Sequence, residues 1–339
     1  MKKTKLLLTS LALTASVLAG CGAKAEAGHF GFGGVATYKV TAPTAEKAGS
    51  VQTDITYASV LLGKDAKIKQ LRLDVVQVKV AANEAGTEVV RTSGTDSESK
   101  WEKLEGYNMV GASPIGKEWY EQAEAFENFA VGKTVAELIA LEGEDTNLVG
   151  GVDAGVTIHV NAFMDAIVNA EAVKVALADV TNLKIGVGGV GTDGNVQSNY
   201  TIAAAAFDAD KKVAAARMDV YQIKYELTAE DPTEDLKGAL AIKVSDKTVV
   251  AAEQRIKGKH ELGNEYGMAG SATKGEWFEQ ANKITAYMVG KTIEEGLAIN
   301  AENSHLTNEV AADVTIKAID YRNAFDEAVD TAFNARYTA

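Results

Sequence analysis

The sequence has few of the residues that build disulfides and metal sites. Its 339 residues include one cysteine, Cys21, and four histidines that have no counterparts between the two halves of the chain. A single cysteine excludes an intramolecular disulfide. Without further cysteines to serve as ligands, the scattered histidines also argue against a zinc site.

Proline and positive charge are scarce as well. The chain has three prolines, no Pro- or Ser-rich linker and no basic run, and its formal net charge is −13. The resulting pI of about 4.9 argues against nucleic acid or an anionic membrane surface as a partner. No segment reaches the roughly 18 apolar residues that a transmembrane helix needs.

The N-terminus has the pattern of an export signal. Lys2, Lys3 and Lys5 precede an apolar stretch over residues 6–17, which is too short to span a bilayer. Leu18-Ala19-Gly20-Cys21 then looks like a lipobox, whose cysteine is lipidated and becomes the mature N-terminus. We therefore predict a lipoprotein signal peptide at 1–20 and a lipidated tether at 21–29, with Cys21 as the lipidation site. The alternative is an ordinary secretory signal with an incidental cysteine.

The chain repeats itself. The segment around Thr157 recurs around Thr315, and Trp119 recurs as Trp277, each 158 residues later without a gap. Earlier segments match at an offset of 145, so the second half carries an insertion. We interpret this as a tandem duplication and expect each half, for example residues 181–339, to fold as a unit of its own.

Within each half, strand patterns come before helix patterns. Residues 71–79 and 216–224 are rich in β-branched side chains and predict matching strands. Helices are expected over about 118–129 and 276–288, followed by short helices that Thr134 and Thr292 cap. This order favours an α+β fold of two tandemly duplicated domains, each a mainly antiparallel sheet with helices packed on it.

Two segments resemble phosphate-binding motifs but lack a required part of each motif. Residues 186–191 fit G-x-G-x-x-G, but turn residues follow them where that motif requires a helix. Gly132-Lys133-Thr134 and its copy at 290–292 lack the earlier glycine of a Walker A loop. Arg72 and Asp74, with Arg217 and Asp219, are interpreted as ion pairs on the surface of a strand.

The repeated threonine segments carry the strongest pattern. Asp153-Ala154-Gly155-Val156-Thr157, followed by a helix, resembles the motif of FMN-binding domains, in which the phosphate of FMN esterifies the corresponding threonine. Asp313 replaces the glycine in the second copy, close to the expected phosphate. The upstream Met109-Val110-Gly111 loop, the helix from Trp119 and Gly132-Lys133 also resemble that family.

The resemblance implies FMN-binding-like domains at 30–178 and 179–339. It implies two FMN groups, attached to Thr157 and Thr315 through phosphoester bonds by an ApbE-type flavin transferase. Further cofactor-binding candidates surround each threonine: Met109, Gly111 and Trp119 in the first half, and Met268, Gly270 and Trp277 in the second. Helix-to-sheet packing is the alternative role for both tryptophans.

A lipobox followed by two such domains is similar to the PplA-type flavinylated lipoproteins. That resemblance implies an electron carrier at the extracellular face of the cell membrane. It would take electrons from a membrane NADH dehydrogenase and quinone pool and pass them to extracellular acceptors such as ferric iron. Two alternatives remain open: a surface lipoprotein that binds a small molecule or protein, and an extracellular reductase with a defined organic substrate.

Overall fold

A computed structural model describes residues 24–92, 98–193, 197–227, 240–243, 249–250, 255–270, 273–298 and 303–333. The predicted signal peptide and Cys21 lie outside these ranges. The described chain is α+β with antiparallel sheets, as the order of the sequence patterns predicted.

The first half begins with strands and continues with helices. Strands β1 (Gly28–Thr41), β2 (Ser50–Gly63), β3 (Ile68–Ala82) and β4 (Val89–Arg91) form an antiparallel meander. Helices α1 (Lys100–Lys103), α2 (Trp119–Ala130), α3 (Val135–Ile139), α4 (Gly151–Ala154) and α5 (Asn161–Ala172) follow, with 3-10 turns at Leu104–Tyr107 and Glu144–Thr146. Strand β5 (Val175–Leu177) then pairs with β1.

The second half has a similar order of elements. Strands β6 (Lys184–Asp193), β7 (Gln197–Phe207), β8 (Val213–Leu227) and β9 (Leu240–Lys243) form a second antiparallel sheet. Strands β10 (Val249–Val250) and β11 (Arg255–Ile256) join the first sheet instead, where β11 pairs with β1. Helices α6 (Lys259–Leu262), α7 (Trp277–Met288), α8 (Ile293–Gly296) and α9 (Ile319–Phe333) complete it, with 3-10 turns at Gly263–Tyr266 and Glu309–Asp313.

The predicted caps and helix ends are present. Thr134 and Thr292 each form a capping box with the glutamate three residues later. Gly132 and Gly290 adopt φ values of 84° and 82°, which suit the glycine that follows a helix end. Within the ranges the structure describes, no helix is long and apolar enough to cross a membrane.

Glycines in the first strand of each half allow a helix to approach closely. A β-carbon on Gly31 or Gly33 would collide with the backbone at Ala170 in α5. A β-carbon on Gly186 or Gly188 would likewise collide with carbonyl oxygens of α9. The Gly-rich residues 186–191 are therefore part of strand β6 and not a phosphate loop.

The two sheets share one hydrophobic core, which the expectation of two self-contained units did not include. Phe30, Ile55 and Val76 of the first sheet belong to the same buried cluster as Tyr200 and Ile202 of the second. Helices α5 and α9 each pack on the face of their own sheet that points away from the common core. A separate hydrophobic cluster therefore lies beneath each of these helices. The halves are packed sheet against sheet, and the boundary between 178 and 179 stays a prediction.

Candidate functional site

A glutamine on α2 holds the first threonine loop. The side-chain oxygen of Gln122 accepts from the Thr157 hydroxyl at 3.0 Å and from the backbone N–H groups of Thr157 and Ile158 at 2.7 and 3.2 Å. Gln122 is fully buried, whereas Thr157 is half-buried in the turn before α5. A buried acceptor that serves three donors fixes both the backbone and the hydroxyl of this turn.

The second threonine loop is held by the same contact. Gln280 on α7 is also fully buried, and its oxygen accepts from the Thr315 N–H at 2.6 Å and from the Thr315 hydroxyl at 3.3 Å. Thr315 is exposed and precedes α9. The two threonines therefore present similarly anchored hydroxyls at matching places in the two halves.

Thr157 lies at an open cavity of about 490 Å³, which is within the size range of small-molecule sites of about 300–1,000 Å³. Met109, Trp119 and Gln122 line this cavity together with Thr157. The structure thus brings together three of the first half's four candidate cofactor-binding residues. Gly111 is an exposed residue in the adjacent loop, and no atom lies within 4 Å of the position that a β-carbon would take.

Strands β2 and β3 supply a polar floor to this cavity. Asp54 accepts hydrogen bonds from the side-chain amides of Gln52 at 2.8 Å and Gln77 at 2.7 Å. In the second half, Asn199 accepts from Gln197 at 3.2 Å and Gln222 at 2.9 Å. The two hydrogen-bonded clusters have the same arrangement, but the first has a carboxylate where the second has an amide.

A lysine lies beside each threonine loop. The ammonium group of Lys117 lies against Gly155, two residues before Thr157. In the second half, the ammonium group of Lys283 lies 3.5 Å from the carbonyl oxygen of Asp313, two residues before Thr315. The two lysines come from different positions relative to the repeat. Each lysine places a positive charge two residues before the threonine, and in the second half Asp313 adds a negative charge at the same place.

Glutamates organise the two methionine loops. Glu118 accepts from the backbone N–H groups of Met109 and Val110, at 2.8 and 3.1 Å. Glu276 accepts in the same way from Met268 and Ala269, at 2.9 Å each. Gly270 has open space around it, as Gly111 does, and the residues directly after it lie outside the described ranges.

The tryptophans are mainly packing residues. Trp119 and Trp277 are 3% and 2% exposed. The ring of Trp119 stands edge-on to Phe163 at 6.0 Å, and the indole N–H of Trp277 donates to the Tyr321 hydroxyl at 2.9 Å. Trp119 also lines the cavity at Thr157, so little of its surface is available to a bound ring.

The expected ion pairs on the strand surface are not formed. Arg72 binds Glu127 of α2 at 2.7 Å instead of Asp74. Asp74 is buried and accepts hydrogen bonds from the Tyr57 hydroxyl and from the backbone N–H groups of Val75 and Trp101. Burial raises the pKa of the Asp74 carboxyl to about 7. The error arises because the sequence shows neighbours along the strand but not the helix above it.

The two glutamines were not among the site residues predicted from the sequence. Gln122 and Gln280 were visible as part of the repeated helix pattern, and their recurrence at the threonine offset was a usable signal. The polar floor was harder to find, since Asp54 of the first half is replaced by Asn199 in the second. Among the residues that the structure describes, no group of three or more His, Cys, Asp or Glu side chains is arranged to hold a metal ion.

Comparison with known proteins gives one partial similarity. A segment of 118 residues is 30% identical to a chlorophenol reductase of Desulfitobacterium hafniense. It covers 32% of this chain and 36% of that protein, so this chain matches about a third of the relative's length. No protein family and no solved structure matches the chain.

Proposed function

We propose that this chain is an extracellular electron carrier of the PplA type, with FMN covalently attached to Thr157 and Thr315. One observation carries the proposal: each threonine hydroxyl is anchored by a buried glutamine at a matching place, and the first lies at a cavity of suitable size. In this proposal the two halves arose by tandem duplication, and each is a flavin-binding domain.

The residues of the first cavity fit a flavin phosphate ester. Thr157 offers its hydroxyl at the cavity, and the adjacent Lys117 ammonium would offset the charge of a phosphodiester. The amides of Gln52 and Gln77 and the carboxylate of Asp54 would hold the polar edge of the ring. Bound FMN supplies the redox chemistry, while the protein sets its position and its potential.

The hydroxyl is held but not activated by its own chain. Gln122 is an acceptor without basicity, so it orients the Thr157 oxygen and leaves removal of the proton to the enzyme that attaches the flavin. We propose that this enzyme is an ApbE-type flavin transferase. Thr315 is the more exposed of the two residues, and the Lys283 ammonium beside Asp313 would offset its negative charge. We therefore expect the transferase to modify Thr315 as well as Thr157.

The proposed setting is the extracellular face of the cell membrane, with a lipid anchor at Cys21. Electrons would arrive from a membrane NADH dehydrogenase and quinone pool and leave to extracellular acceptors such as ferric iron. No nucleic-acid partner is proposed, since the net charge is −13.

A reductase role is the second candidate. The partial similarity to a chlorophenol reductase favours it over a surface lipoprotein that only binds a small molecule or protein. Both candidate functions involve electron transfer. They differ in whether the chain itself reduces an organic substrate. Assay of the flavin-loaded, reduced protein with and without such a substrate distinguishes them.

The flavin attachment is tested by intact-mass spectrometry of protein co-expressed with a flavin transferase. We expect two FMN groups per chain, one in Thr157→Ala, one in Thr315→Ala and none in the double variant. Thr307→Ala, an exposed threonine outside both loops, is the matched control and should keep both groups. Covalent flavin on the double variant would overturn the assignment.

A further inference from the structure

Two crevices lie between the halves, at matching positions. Each is bounded by the first strand of one half and by elements of the other half. The crevice at β6 and α9 has a volume of only about 50 Å³ and contains four carboxyl groups: Asp74, Glu102, Glu327 and Asp330. The crevice at β1 and α5 has a volume of about 450 Å³ and a different charge, and we call it the β8 crevice after the strand that lines it.

An arginine in the β8 crevice has no counter-ion among the described residues, whereas its equivalent in the first half has one. In the first half, Arg72 binds the buried Glu127 at 2.7 Å. In the second half, Arg217 is equivalent to Arg72, and Thr285 is equivalent to Glu127. A hydroxyl therefore stands where the first half has the Glu127 carboxylate. The Thr285 hydroxyl donates only to carbonyl oxygens of its own helix.

Arg217 has only neutral hydrogen-bond partners among the residues that the structure describes. Its guanidinium donates to the side-chain oxygen of Asn282 at 3.3 Å and to the carbonyl oxygen of Val173 at 3.2 Å. Burial lowers the pKa of Arg217, and within the described ranges no carboxylate forms a hydrogen bond with its guanidinium. A partly desolvated cation with neutral partners favours the binding of an anion.

The other charges around the crevice leave this cation uncompensated. Arg255 and Glu261 neutralise each other through two hydrogen bonds of 2.8 and 2.6 Å. Asp219 uses one oxygen to accept from the backbone N–H groups of Val220 and His260, and burial raises its pKa to about 7. Lys174 at the rim pairs with Glu171 at 3.7 Å, so this lysine does not add a free charge to the crevice.

Part of the remaining wall is apolar, although Asn169 and His260 also line the crevice. Phe32, Val173, Met218 and Tyr221 line the crevice next to Arg217. An inorganic oxyanion would leave this surface in contact with water, whereas an organic anion with an apolar body would cover it. The wall chemistry therefore favours a ligand with one charged end.

We propose that the β8 crevice is a binding site for a small organic monoanion of the carboxylate class, with its charged group on Arg217. The apolar body would lie against Phe32 and Met218, between the two halves. This site is separate from the cavity at Thr157, and the proposal does not depend on flavin attachment.

The test uses benzoate as the probe, with the full mature chain free of flavin, in titrations followed by NMR and calorimetry. We expect saturable binding that weakens about tenfold or more in Arg217→Met, because a charge-assisted hydrogen bond is lost. Thr285→Glu should weaken binding similarly, since it restores the carboxylate that Glu127 supplies to Arg72. Arg322→Met removes an exposed arginine and should leave the affinity unchanged.

Arg217→Met removes the positive charge, and Thr285→Glu pairs it with a carboxylate. If one of these variants fails to fold, the other still tests the proposal. Absence of saturable benzoate binding to the wild-type chain would overturn the proposal, as would unchanged affinity in a folded Arg217→Met variant. Sulfate that binds as tightly as benzoate would overturn the assignment of an organic ligand.

Discussion

At the scale of single residues, the polar floor of the first cavity and the equivalent cluster of the second half differ by one charge. Asp54 accepts from two glutamines in the first half, and Asn199 does so in the second. A carboxylate near a flavin disfavours the added negative charge of the reduced ring. If flavins occupy these sites, the first should have the lower reduction potential.

Exchange of these two residues tests the idea. Asp54→Asn should raise the potential of the flavin at Thr157 by an amount on the order of tens of millivolts. Asn199→Asp should lower the potential of the flavin at Thr315 by a similar amount. Spectroelectrochemical titration of single-site proteins, carrying Thr315→Ala or Thr157→Ala, measures each potential separately. Equal potentials before and after exchange would show that the floor residues do not face the ring.

Glu327 makes stability depend on pH. Burial raises its pKa to about 8, with a further contribution from Glu102, Asp74 and Asp330. The folded chain therefore retains a proton that the unfolded chain releases near the ordinary value of 4.5. The stabilising effect of this proton is complete below about pH 4.5 and is lost as the pH rises to about 8.

Glu327→Gln should flatten this dependence. In the wild type, the Gly189 N–H donates to the Glu327 carboxyl at 2.7 Å. The amide oxygen of the glutamine can still accept this hydrogen bond. Thermal melts across the same pH range should show a smaller fall in Tm for the variant than for the wild type. Glu84→Gln, at an exposed position on a turn, is the control and should follow the wild-type curve.

At the scale of elements, the short helices α3 and α8 depend on their capping boxes. The Thr134 hydroxyl accepts from the Glu137 N–H at 3.2 Å, and Glu137 accepts from the Thr134 N–H at 2.8 Å. Thr292 and Glu295 repeat the exchange. Helices of five and four residues have few internal hydrogen bonds, so the caps supply a large share of their stability.

Thr134→Ala and Thr292→Ala should each lower the free energy of unfolding by about 1 kcal/mol. Because the two caps lie in different halves, their effects should add in the double variant. Chemical denaturation measures both changes, and Thr307→Ala, which removes an exposed threonine outside any helix, should have little effect. A loss well above this size would indicate that the threonines have a further structural role.

At the scale of the whole molecule, each half contributes one wall of a common core. The Tyr57 hydroxyl lies 2.8 Å from the position of a β-carbon on Gly189, and the Tyr221 hydroxyl lies 2.9 Å from the same position on Gly34. Strand β11 also leaves its own half to pair with β1. Separation of the halves would expose the inner face of each sheet to water.

Residues 181–339 alone should therefore not fold cooperatively. The exposed sheet face would favour association or a loosely packed state. Circular dichroism melts and light scattering, with the full mature chain as the control, measure this. A monomeric fragment with a sharp transition would support the earlier expectation that each half folds as a unit of its own.

The sequence by itself determined the features that depend on local chemistry. The α+β order, the helices with their caps at Thr134 and Thr292, and the recurrence of the threonine segments were all readable, since propensity, capping and periodicity act over a few residues.

The contact between Gln122 and Thr157 joins residues 35 positions apart, and only folding decided it. Within the described part of the chain, Arg72 has a counter-ion and Arg217 has none, and the helix packed above each strand decided this difference as well. The common core and the two unequal crevices exist only because two similar sheets bury their faces against each other, which is a long-range packing event that no short stretch of sequence encodes.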